Sequence, residues 1–143
     1  MENLHSRISA AACDDPRRLR DLLLRSQELS SAHALPSVIA GLAGAEGELL
    51  WPELVNYIES ALRVEDTIFR LTRERVVLFL ADVSKDAARE IVERLLHSFT
   101  EHFPSAQPLE VARRFFEVGP GRSDLRLKDI LPAIFPTADS NAA

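Results

Sequence analysis

The chain has 143 residues, 46% of them hydrophobic and 27% charged, which is enough for one soluble domain with a proper core and too little for two. Seventeen lysines and arginines against twenty-two acids leave a net charge of −5. That argues against a nucleic-acid polymer held by bulk charge, though not against a local basic pocket. Cys13 is the only cysteine, so no intrachain disulfide and no thiolate metal cluster is available. No run approaches the roughly 20 apolar residues of a membrane span, and residues 1–13 lack the apolar core of a signal peptide. A reducing, cytoplasmic setting without membrane insertion is the expectation.

Residues 1–13 and 137–143 show no firm periodicity and are expected to be a loose N-terminal segment and a flexible tail around one domain, 14–136. Asp14-Asp15-Pro16 starts a helix, because an Asp N-cap accepts from orphan amides and Pro costs nothing at the first helical position. Leu19, Leu22, Leu23 and Leu29 carry its apolar stripe, and Ser30-Ser31 is expected to end it. Residues 35–42 (LPSVIAGL) read as a short buried strand closed by Gly41, Gly44 and Gly47. A second helix spans 48–63, with Leu54, Ile58, Ala61 and Leu62 on one face.

Residues 67–71 and 75–81 form a hairpin pattern around Thr72-Arg73-Glu74. The run Val76 to Leu80 is apolar without alternation, as in a central strand covered on both faces. Ser84 caps a third helix, 85–103, with Ala88, Val92, Leu95, Phe99 and Phe103 as its stripe, and Pro104 stops it. A strand over 109–118 ends at Gly119-Pro120-Gly121, and a short helix from Ser123 to about Leu131 ends near Pro132. The fold class is therefore α+β: a ferredoxin-like βαββαβ core with an extra N-terminal helix and a short C-terminal helix. Its two internal helices are expected to cover one sheet face. Phe115 and Phe116 point to opposite faces, so the second face needs cover from the opening helix or from a partner chain.

Residues 63–95 (RVEDTIFRLTRERVVLFLADVSKDAAREIVERL) resemble the heart of a GGDEF domain, the diguanylate cyclase fold. In that family Arg-x-x-Asp is followed by five residues, the GGDEF turn, an apolar strand and a helix with an Ala and an Arg-Leu. Here Arg63 and Asp66 make the Arg-x-x-Asp, and Thr72-Arg73-Glu74-Arg75-Val76 occupies the degenerate signature turn. Residues 15–19 (DPRRL), 46–50 (EGELL) and 124–134 extend the likeness to most of the chain.

The departures bear on chemistry. Two-metal condensation of GTP needs carboxylates to hold the cations. The first strand contains no acid, the family's following Phe-Lys and Asn-Asp segment is deleted, and the turn's two glycines are Thr72 and Arg73. The catalytic acid position holds Arg75, which reverses the charge where a cation would sit, and Glu74 alone restores no two-metal site. The resemblance thus implies no catalytic residues, no resident metal and no cofactor.

The family's product site remains in outline. By resemblance, Arg63 and Asp66 would bind cyclic di-GMP, with Arg94 supplied by the helix after the hairpin and Arg70 a further candidate from the adjoining strand. An arginine fork can take guanine O6 and N7, and a carboxylate the N1–H and N2–H₂ edge. Arginine-x-x-aspartate also occurs at Arg18/Asp21 and Arg126/Asp129, and only the register against the hairpin singles out Arg63/Asp66.

The leading expectation is a non-catalytic bacterial signalling module that senses cyclic di-GMP, acting through an unidentified protein partner or a ligand-linked homodimer. The alternative is a protein-interaction scaffold that has lost both nucleotide sites, with Arg63–Asp66 a surface ion pair. Residual nucleotide hydrolysis through Glu74 and Glu48 ranks third. Trp51 is read as a core residue, and His5, His33, His97 and His102 as solvent-facing.

Overall fold

A computed structural model describes residues 13–104, 109–119 and 125–136. Helix α1 (Pro16–His33) leads into strand β1 (Ser37–Gly44), then α2 (Trp51–Ala61), the hairpin β2 (Thr67–Thr72) and β3 (Arg75–Ala81), α3 (Lys85–His102), β4 (Val111–Val118) and α4 (Leu127–Ile134). The four strands form one sheet in the order β2-β3-β1-β4, every neighbouring pair antiparallel. This is the ferredoxin-like arrangement expected from the element order.

Alternation along the strands divides the core in two. Val38, Ala40 and Leu42 of β1 pack with Ile68, Val76, Leu78 and Leu80 under α2 and α3. Ile39, Phe69, Val77 and Phe79 face the other way, under Leu19, Leu22 and Leu23 of α1 and Ile130 and Ile134 of α4. Both faces are thus covered within the chain, the second by α1 and α4 together. Burial on both sides accounts for the unbroken apolar run of β3, all of whose residues from Val76 to Leu80 are buried.

Several element ends differ from the sequence expectation for identifiable reasons. Helix α1 passes through Ser30 to His33, with Ala34 closing it in the left-handed region at φ 55°. Ser30 is tolerated inside because its buried hydroxyl donates to the carbonyls of Leu35 and Val118, 3.0 and 3.3 Å away. The glycine cluster closes β1 only in part, with Gly44 its last residue and Gly47 in the turn beyond at φ 79°. Gly41 and Gly44 lie within the strand, where a Cβ on Gly41 would meet Ile134 at 2.8 Å and one on Gly44 the Trp51 ring at 2.5 Å.

Helix α2 is shorter than expected and begins at Trp51, which is 3% exposed and sits in the core. Strand β4 begins at Val111 rather than 109. Helix α4 starts at Leu127 and runs through Pro132. One missing N–H is outweighed by burying Ile130, Ile134 and Phe135 against the sheet. Ser123, Pro120, Gly121 and the two expected loose ends lie outside the described residues, apart from Cys13, which is exposed.

Candidate functional site: the Arg63 corner

Helix α2 and strand β2 meet at a tight corner. After Ala61 the chain turns extended at Leu62, and the Asp66 amide donates to the Arg63 carbonyl at 3.0 Å. The last β2–β3 pair at this end is Thr67 with Phe79, so β3 runs on to Ala81 with no β2 residue beside it. Unpaired backbone groups there would be costly. The corner supplies the missing partners: Asp66 Oδ1 accepts from the Ala81 amide at 3.1 Å, and Arg63 Nη2 donates to the Ala81 carbonyl at 2.8 Å.

The two side chains also bind each other as a fork. Arg63 Nε donates to Asp66 Oδ2 at 2.7 Å and Nη2 to Oδ1 at 2.8 Å, while the Arg63 amide donates to Oδ2 at 3.3 Å. Asp66 therefore accepts four hydrogen bonds, which fills the capacity of a carboxylate. Its side chain is 1% exposed against 41% for Arg63. The hydrogen bond that it donates to Asp66 holds the Arg63 guanidinium above its ordinary pKa, with partial burial opposing this and the charges of Asp66, Glu65 and Asp82 adding to it.

The four expected ligand residues do not form one constellation. The structure joins Arg63 to Asp66. Arg70 is held apart, its Nη2 donating to Glu59 at 2.7 Å and its amide to Asp14 Oδ2 at 2.8 Å. Arg94 is exposed on α3, roughly 160° around the helix from buried Val92 at 100° per residue, and joins neither group. Of the three Arg-x-x-Asp copies, all within the described residues, only Arg63/Asp66 closes side chain to side chain.

Sequence reasoning missed the acids around Arg63. Glu65 Oε2 stands 3.4 Å from Arg63 Nη1, and Asp82 follows Ala81 with φ 55°. The signal for Glu65 was its place inside the Arg-Val-Glu-Asp motif itself.

At the far end of the hairpin, Arg73 and Glu74 make the turn, and the Glu74 carbonyl accepts from the Gly44 amide at 2.8 Å. The Arg75 guanidinium lies over the Phe135 ring, 5.4 Å from its centroid. Glu48 is spent on the Leu50 amide, 3.0 Å away. Among the described residues no three His, Cys, Asp or Glu side chains are grouped as a metal site requires, and no helix is long and apolar enough to cross a membrane.

Comparison with known proteins adds the fold's relatives. No protein-family model and no curated protein matches the chain. Among solved structures, the FimX GGDEF domain of Pseudomonas aeruginosa matches 92% of this chain and 94% of its own at 13% identity, with a TM-score of 0.67. The fold is that of a GGDEF domain. The same organism's diguanylate cyclase SiaD, crystallised with its activator SiaC, matches 99% of this chain and 63% of that chain at 19% identity and TM-score 0.66. PelD from P. aeruginosa in complex with cyclic di-GMP matches at 23% identity and TM-score 0.64 over 90% of this chain and 46% of that one. The chain thus spans about half the length of the PelD chains it matches. In this GGDEF-like frame the Arg63 corner and the Arg73–Glu74 turn stand at opposite ends of the same hairpin.

Proposed function

We propose that the domain is a cytoplasmic, catalytically silent GGDEF-like signalling module that binds cyclic di-GMP at the Arg63 corner. The observation that carries this reading is the state of Arg63. A bidentate carboxylate and a strand-end carbonyl fix its plane at the surface, while Nη1 makes no hydrogen bond to the described residues. A guanidinium held this way is preorganised to stack on a purine or to donate from Nη1 to one acceptor of its O6 and N7 edge. Asp66, whose acceptor sites are filled, works in this reading by positioning Arg63 rather than by accepting from guanine.

Arg94, exposed on α3, would meet phosphate. Arg70 is the weaker candidate, because its side chain is 15% exposed and would have to leave Glu59 to reach a ligand. The crystal complex of PelD with cyclic di-GMP supports the ligand class. Output would pass through a protein partner or a second copy of the domain bridged by ligand.

Catalytic silence rests on charge. Strand β1 carries no carboxylate, and Arg75 occupies the place of the signature acid with its guanidinium laid on Phe135. A two-metal site for a triphosphate lacks its acids there. Incubation with GTP and magnesium or manganese is expected to release no pyrophosphate, and metal-dependent release would remove this part of the reading.

One observation favours the scaffold reading instead: Asp66 is saturated by the protein, and Glu59, Glu65 and Asp82 surround Arg63 and Arg70 with negative charge. Calorimetric titration with cyclic di-GMP separates the two. Micromolar or tighter binding that disappears in Arg63→Ala, with the helical circular-dichroism signal retained, supports the receptor. No heat at high protein concentration leaves the scaffold.

A further inference from the structure

Three of the five Arg63 N–H donors are committed at 2.7–2.8 Å: Nε and one hydrogen of Nη2 to Asp66, and the other hydrogen of Nη2 to the Ala81 carbonyl. That leaves Nη1, and there the Glu65 carboxylate stands at 3.4 Å. Glu65 is thus the anion closest to the one guanidinium edge that an incoming ligand can reach. The contact is loose, with the two side chains 41% and 48% exposed, so solvent screens it and little holds it.

On its other side Glu65 borders a cleft between α1 and the sheet, lined also by Arg25, Ser26, Ser37, Thr67 and Ala81. The free space in it is about 20 Å³, on the order of one water and far too small for a nucleotide. Ser37 is 2% exposed, and its hydroxyl is the one buried side-chain polar atom among the described residues without a hydrogen-bond partner. Such an orphan is unusual in a native protein. A carboxylate leaving Nη1 has the mouth of this cleft beside it, where Arg25 offers a positive charge, while the space within has room for a water on the Ser37 hydroxyl.

We infer that Glu65 is a built-in competitor for Arg63, a residue that sets the affinity of the corner for an anionic nucleotide by occupying Nη1 until the ligand displaces it toward the Arg25–Ser37 cleft. The inference rests on the receptor reading above. It assigns a role to the third residue of Arg63-Val64-Glu65-Asp66, which the fold does not need: Glu65 makes none of the hydrogen bonds that close the corner.

The test is calorimetric titration with cyclic di-GMP of the full chain, Glu65→Gln, Arg25→Gln and the double variant, with Arg63→Lys added to the Glu65→Gln background. Glu65→Gln is expected to tighten binding roughly 2- to 5-fold, the size of one nearby exposed charge, and Arg63→Lys to abolish the gain. Arg25→Gln is expected to weaken binding about twofold alone and to change nothing once Glu65 is neutral, the signature of coupled residues. Binding by Glu65→Gln where the parent chain shows none also supports the inference. Equal or weaker binding by Glu65→Gln, with the parent chain still binding, overturns the competitor role and leaves the receptor standing. No binding by either chain overturns both, because the variant is the better binder on this account.

Discussion

At one end of the β2–β3 hairpin a buried aspartate accepts four hydrogen bonds and fixes an arginine at the surface. At the other end an arginine lies over an aromatic ring beside a two-residue turn. In the proposed reading the first end keeps the residue types that bind product in GGDEF domains by resemblance, whereas the second lacks those of catalysis. Their geometry explains why the two could diverge. Asp66 and Arg63 complete the hydrogen bonding of Ala81 beyond the reach of β2, so the fold itself requires them. The turn is closed by backbone bonds such as Gly44 to Glu74, which any side chains permit. Retention of an Arg-x-x-Asp pair is therefore weak evidence of a ligand by itself, and the useful experiments separate its structural work from its binding work.

The largest effect is expected at Asp66. Asp66→Ala strips a 1%-exposed acceptor from the Ala81 amide and the Arg63 fork, and should cost about 3 kcal/mol in urea unfolding, as for a buried charge-assisted network. A loss under about 1 kcal/mol would mean the corner is not the lock described. Arg63→Ala comes next, at roughly 1–2 kcal/mol, because its exposed position lets water take over part of the Asp66 pairing. Arg63→Lys should recover part of that stability without restoring the fork, so a full recovery of cyclic di-GMP binding by lysine would argue against planar recognition.

At the opposite end Arg75→Ala removes only the contact with Phe135 and should cost about 0.5–1 kcal/mol. If it proved as damaging as Asp66→Ala, the contrast between the two ends would fail. The smallest effect lies away from both, at the α1 cap. The hydrogen bond from the Arg17 side chain, and then that from the Arg17 amide, hold the exposed Asp15 carboxyl below its ordinary value. A carboxyl lowered by folding contributes stability above its unfolded pKa and loses it as pH falls through the folded value. The small deficit of Asp15→Asn in urea midpoint, present at pH 6, should therefore shrink progressively as the pH falls below the ordinary carboxylate range. A deficit unchanged across that range would break the assignment.

The element order and the sheet were legible because periodicity reports burial. The apolar run of β3 announced a strand covered on both faces, and the caps Asp15 and Ser84 marked true helix starts. The ends were less legible where a distant partner decides them. Ser30 looked like a helix stop until the carbonyls of Leu35 and Val118 satisfied its hydroxyl. Gly41 looked like a strand stop, yet it is the place where α4 presses Ile134 against the backbone.

In the corner, the register of Arg63 and Asp66 against the hairpin was readable. Saturation of Asp66 was not, since its fourth donor is the amide of Ala81, fifteen residues away. The same holds for Arg70, whose partners Glu59 and Asp14 come from other elements.

The most direct test of the account is a two-dimensional amide and arginine-Nε NMR titration of the chain with cyclic di-GMP. The account predicts saturable shifts at Arg63 Nε and at the amides of Glu65, Asp66, Ala81 and Arg94, with Arg73, Glu74 and Arg75 unmoved. Shifts centred on the Arg73–Glu74 turn, or none anywhere, would contradict it.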